Sequence, residues 1–214
     1  MNIVVDNDVL YKGICYGVLQ EVVQACAGTT ARVGVLGAAR FVVSKKIRKV
    51  TLSRSPDLVA QELSGFLSGA VQLEPTDAEQ DFAADLESAA QQLGVNLDTG
   101  ESQLCAITIQ RVVATLLTGD KRAVAAIERL LDIEVRLQAL CGKVRCLEQA
   151  FLSVLDRTSL EGLRPAICAE PSVDRTLTIC FGCHSATTQR ETVLEGLSSY
   201  IRALRAAAIR VLAS

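Results

Sequence analysis

Apolar residues first gather at Ile3-Val4-Val5, and the chain turns polar at once at Asp6-Asn7-Asp8. A short apolar run closed by Asp and Asn reads as a buried strand leading into a helix, with Asn7 or Asp8 placed to cap a helix that continues to about Cys26. Ala27-Gly28-Thr29-Thr30 breaks that pattern. Residues 32–43 are apolar without a clear period, which is compatible with a second strand running into a helix. Ser55-Pro56-Asp57 opens a helix to about Gly69, since a proline in the first turn gives up no helical hydrogen bond. Residues 71–74 suit a short strand. Thr76-Asp77-Ala78-Glu79 has the spacing of a capping box for a helix to about Leu93. After a loop over 94–100, Glu101 opens a helix to about Gln110. The most strand-like run is 112–117, which ends in Thr118-Gly119-Asp120 before Lys121 begins another helix.

The last part of the chain is less regular. Residues 134–156 read as helical apart from Gly142. Residues 158–175 hold two prolines and read as loop, and 177–181 suit a strand. Over 189–212, Val193, Leu197, Ile201, Leu204 and Ala208 fall on one helical face. Packing on the core is the default for that face, with a homodimer or a partner protein as the other uses. Strands alternating with helices, and acids at the strand ends, predict an α/β fold with a mostly parallel central sheet flanked by helices. Such sheets bind ligands beyond the carboxyl ends of their strands, where Asp6 and Asp120 are expected.

With 214 residues, half of them hydrophobic and none of them Trp, the core must be built from Val, Leu, Ile and Ala. That length suits one large domain, or a domain of about 130 residues with an extension. The formal charge of −2 and pI near 5.5 exclude nucleic-acid binding by bulk electrostatics. Any such contact would need a local basic patch or a bridging metal. Residues 45–54 hold five Lys or Arg, which reads as a solvated surface or as a grip on phosphates beside the acids. No apolar run approaches the ~18 residues of a membrane span, and no basic leader precedes the first strand. A cytoplasmic protein with no membrane association is expected, its eight cysteines reduced.

Val4-Val5-Asp6-Asn7-Asp8, then Leu97-Asp98-Thr99-Gly100-Glu101, then Leu116-Leu117-Thr118-Gly119-Asp120-Lys121-Arg122 together resemble the PIN domain, in the bacterial and archaeal branch with a Gly-Glu motif. The resemblance covers roughly residues 1–130 and is most specific from Gly100-Glu101 to Asp120. It implies a PIN-like three-layer fold over 1–130; the chain departs from a compact PIN domain in residues 131–214, read as a largely helical C-terminal extension packed on the same core. It also implies a Mg²⁺- or Mn²⁺-dependent ribonuclease, of a family whose members are often toxins held by an antitoxin or another protein partner. Carried over by motif, Asp6, Glu101 and Asp120 are the metal ligands, and Glu62 in Val59-Ala60-Gln61-Glu62-Leu63 is the fourth catalytic acid. Asp8 and Asp98 are further acids nearby, and Thr118 matches a supporting hydroxyl. Hard divalent cations take oxygen ligands, and converging carboxylates without one are driven to hold protons. A metal-activated water then needs no His or Ser nucleophile. The alternative is a PIN-like binding or regulatory module that does no chemistry and uses the extension as its partner surface.

Cys180-Phe181-Gly182-Cys183-His184 matches the c-type haem pattern, but no second axial ligand is evident. A zinc site joining Cys180, Cys183 and His184 to Cys141, Cys146 or Cys168 lacks two tight ligand pairs. Reduced core thiols are the expectation.

Overall fold

The computed structural model describes residues 1–214. Five strands form one all-parallel sheet: β1 (Ile3–Val5), β2 (Val33–Leu36), β3 (Val71–Leu73), β4 (Thr115–Thr118) and β5 (Val144–Cys146), in the order β3-β2-β1-β4-β5. The chain builds outward from β1 to β3, then returns to the other side of β1. The β1–β4 pair, with Val4 opposite Leu116, is therefore the topological switch point.

The three central strands alternate their side chains between two apolar layers, while the edge strands β3 and β5 reach only one of them. Ile3, Val5, Val35 and Leu117 face one buried cluster, while Val4, Leu36, Leu116 and Val144 face the other. The first is filled by α1 (Asn7–Tyr16), α2 (Leu19–Ala27), α3 (Ala39–Ile47) and α4 (Pro56–Gly69). The second is filled by α5 (Asp77–Leu93), α6 (Thr99–Gln110) and α7 (Lys121–Leu130). Helices on both faces of a parallel sheet make three layers, as an α/β chain with two apolar strand faces must.

Residues 131–214 are built into both layers. They supply the edge strand β5, then α8 (Leu147–Leu155), α9 (Leu160–Cys168), α10 (Arg175–Cys180) and α11 (Arg190–Ala207). Phe151 packs edge-to-face between Tyr16 and Phe181, with centroids 6.4 and 5.9 Å away. The carboxylate of Glu128 accepts hydrogen bonds from the backbone of Arg210 and Val211, which anchors the tail.

Several expectations change at this point. The first long helix is two, because Gly17 takes the left-handed conformation (φ 69°) and closes α1. The segment 134–156 is a 3₁₀ turn (Val135–Leu140), a strand and a helix. The loop expected over 158–175 contains α9 despite Pro165, and the strand expected over 177–181 is part of α10 and its end. The strand expected from 112 starts at Thr115, since Val112 lies in the turn that ends α6.

Val112 has φ 51° and is 77% exposed. Its neighbour's N–H closes the turn on Thr108. A β-branched side chain in the left-handed region is strained, and glycine is the usual residue there. Val112→Gly is expected to stabilise the protein by about 1 kcal/mol once glycine's entropy cost is set against the relieved strain. A thermal melt should rise by about 2–4 °C; a fall would refute the strain argument.

Candidate functional site

Three helices begin at the carboxyl end of the sheet. Asn7 and Asp8 of α1, Gly100 and Glu101 of α6, and Lys121 and Arg122 of α7 line one open cleft of about 910 Å³. Helix N-termini carry partial positive charge and favour acids beside them, so this end of the sheet can collect carboxylates.

Asp6 follows β1 and stands at the N-cap position of α1. Its side chain caps nothing; neither do those of Asn7 and Asp8, which lie inside the helix. Asp6 Oδ2 instead accepts a hydrogen bond of 3.1 Å from Thr118 Oγ1, and Thr118 Oγ1 accepts one from the Asp120 N–H, also at 3.1 Å. The buried hydroxyl at the end of β4 thus links the acids of the two central strands. Burial, then the charge of Asp8, pushes the Asp6 carboxyl up to about 6.

Glu101 and Asp98 form a capping box at the start of α6. The Glu101 N–H donates to Asp98 and the Asp98 N–H donates to Glu101, both at 2.9 Å. Burial raises the Glu101 carboxyl to about 8, with the charges of Asp98, Asp120 and Asp6 adding to the rise. Asp120 caps α7 by accepting from the N–H groups of Arg122 and Ala123, and pairs with the Arg122 guanidinium at 2.9 Å. Burial opposes its charge, but the Arg122 contacts outweigh burial and hold it below the usual carboxylate range.

Asp8 is held differently. Lys12 Nζ lies 2.5 Å and Lys46 Nζ 2.6 Å from its oxygens. Burial raises its pKa, yet the two lysines win and lower it. Gly119 permits this packing, since a Cβ there would stand 2.3 Å from Asp8 Oδ2. Lys12 also bridges to Asp174, the N-cap of α10, at 2.6 Å. Lys121 reaches Glu148 of α8 at 2.5 Å and lies over the Tyr200 ring of α11. Both lysines line the cleft, and both are held from behind by residues of 131–214.

Asp6, Glu101 and Asp120 therefore line one cleft, with Asp8 and Asp98 beside them. Glu62 does not. It sits on α4 over a separate hollow lined by Gly13, Gly17 and Gln20, paired with Arg54 at 2.6 Å. Sequence reasoning missed Lys12 and Asp174. The only signal was the i, i+4 spacing of Asp8 and Lys12 on a helix start.

Compared with protein-family models, curated proteins and solved structures, the chain matches none. The oxygen donors of the cleft suit a hard divalent cation in kind; burial first, and the charges of neighbouring acids second, raise the Asp6 and Glu101 carboxyls, and a cation would favour their charged forms. As the side chains stand, no group of three or more His, Cys, Asp or Glu is arranged to hold a metal ion, because each acid is turned into a hydrogen bond or ion pair of its own. Metal binding here requires those side chains to rotate.

The cysteine expectation also changes. Cys168 and Cys183 are joined in a disulfide, and Cys180 is buried against Gly196. His184 is exposed, so the thiols and the imidazole form no zinc site. No helix is long and apolar enough to cross a membrane.

Proposed function

We propose that the cleft is the active centre of a PIN-like, Mg²⁺- or Mn²⁺-dependent phosphodiesterase acting on RNA, with Asp6, Glu101 and Asp120 as the metal ligands. One observation carries this reading. Acids from three separate chain segments meet at the β1–β4 switch point, and burial pushes two of them up to about 6 and about 8. Buried, mutually repelling acids in a cleft are costly to the fold and are the pattern expected of a functional centre. When bound, the metal supplies an activated water and offsets charge on the leaving oxygen. Thr118 donates to the Asp6 carboxylate, which would turn within the cleft to hold a metal. Lys12, Lys46, Lys121 and Arg122 place positive charge along its wall, where a phosphodiester would otherwise meet only carboxylates. In this reading Glu62 has no part in the chemistry.

Calorimetric titration of Mn²⁺ tests the proposal. Heat of binding with the wild type and none with Asp6→Asn/Asp120→Asn is the expected result, together with RNA cleavage that the double variant loses. Equal cleavage by both proteins would sink it.

The ion pairs that occupy Asp8 and Asp120 favour a second reading, a binding or regulatory module without catalysis. The two readings part on thermal stability. A ligand of the folded state alone must raise the melting temperature, so millimolar Mn²⁺ should do so for the enzyme and not for the module.

A further inference from the structure

Helix α3 forms one wall of the cleft through Val42 and Lys46. Its outer side is unusual for this chain. Of eight aromatic side chains (five Phe and three Tyr), Phe41 alone is exposed, at 74%. Exposed cations surround it: Arg40 before it, Lys45 one turn on, and Arg48 and Lys49 two turns on. Lys46 alone of the group is ion-paired, to Asp8. The first turn of α3 carries no acid, and the chain as a whole is net negative, so this strip is a local reversal of sign.

A flat apolar ring among unpaired cations fits one chemistry closely: a strand with free base faces and a phosphate backbone. A duplex offers phosphates but keeps its base faces stacked, out of reach of a ring on a helix surface. We propose that α3 is a track for single-stranded RNA, with one unpaired base stacked on Phe41 and the flanking phosphates held by Arg40, Lys45 and Lys49. The track leads the strand to the acids past Val42 and Lys46. This inference rests on the phosphodiesterase reading for what happens at the end of the track, but binding itself needs no metal and no cleavage.

The experiment is a fluorescence-anisotropy titration of a labelled single-stranded RNA of about 12 nucleotides, a length that spans one such site, in EDTA at low ionic strength. Phe41→Ala is expected to weaken binding about tenfold with the salt slope unchanged, and Phe41→Trp to restore it. Lys45→Ala/Lys49→Ala should reduce the slope by about 1.4, at about 0.7 per phosphate contact. A duplex of the same sequence should bind more weakly and ignore Phe41→Ala. No binding by the wild type, or binding that Phe41→Ala leaves unchanged, overturns the track. So does competition by polyglutamate as strong as by RNA, which would mark the strip as a surface for acidic proteins. The failures are separable. Phe41-dependent binding without cleavage in Mn²⁺ leaves the track and removes the enzyme. Cleavage indifferent to Phe41→Ala does the reverse.

Discussion

Glu101→Gln is expected to melt at a higher temperature than the wild type at pH 8 while losing RNA cleavage. The carboxyl titrates near 8 in the fold against 4.5 in an unperturbed chain, mainly because it is buried and secondly because Asp98, Asp120 and Asp6 repel its charge. The folded state therefore binds more protons than the unfolded state between those values. Stability contributed by this group is fully present below about pH 4.5 and is lost as pH rises toward 8. The gap corresponds to about 5 kcal/mol at most, and solvent in the open cleft reduces it to about 2 kcal/mol. Glutamine has no charge to lose and can still accept the Asp98 N–H, so the capping box survives. The variant should gain about 4–8 °C at pH 8 and almost nothing at pH 4. Cleavage should fall by about 10²–10³ if the carboxylate acts on the reacting phosphate through a bound cation. Mn²⁺ should stabilise the wild type and not the variant. A melting difference that does not change between pH 4 and pH 8 would contradict the assignment of the buried charge.

That result would also explain why part of this centre is readable from sequence. Strand ends, capping boxes and a proline at a helix start are local signals, and they placed β1, α4, α5, α6 and α7 within a few residues. Glu101, with Asp98 beside it, comes from the PIN resemblance; that the two form the capping box of α6 is visible only in the structure, since 94–100 reads as loop in the sequence. Asp6 and Asp120 are found because apolar runs stop where strands leave the sheet. Which strands lie next to each other is not a local property. The pairing of β1 with β4 brings the two acids together across more than a hundred residues, and only the assembled sheet shows the Thr118 bridge.

The misreadings have physical causes too. Glu62 has the right residue type on a helix, but the register of α4 turns it toward Arg54 rather than toward the strand ends. β5 is three residues long between a 3₁₀ turn and a helix, too short for an alternating pattern to register. Pro165 suggested a loop. It is the sixth residue of a nine-residue helix, so the carbonyl it leaves without a partner lies in the first turn, at exposed Glu161. The extension is legible as an amphipathic helix and little more. Its role at the cleft depends on single contacts, Asp174 to Lys12 and Glu148 to Lys121, that no periodicity announces.

Removing the Cys168–Cys183 disulfide is expected to cost about 3 kcal/mol without changing the fold. The bridge closes a 15-residue separation between the end of α9 and the turn after α10, and a loop of that length restricts the unfolded chain by about that much. The folded state has a second fastening at the same place. The Arg164 guanidinium donates to the carbonyls of Phe181, Gly182 and Ser185, so the turn stays docked on α9 when the sulfurs part. Cys180 cannot substitute for Cys183, because the C-terminal turn of α10 points it inward against Gly196. Cys168→Ser/Cys183→Ser should then melt about 6–12 °C lower than the oxidised wild type. Reductant should lower the wild type to the same point and leave the double variant unmoved. The cleft should respond weakly, through Asp174 alone, since α10 carries the carboxylate that steadies Lys12. A reducing compartment would keep the chain in its less stable form, and an oxidising one would fasten the turn after α10 to the end of α9. If reductant leaves the wild-type melting temperature unchanged, the two thiols are not bonded in solution, and the stability of the α9–α10 corner rests on Arg164 alone.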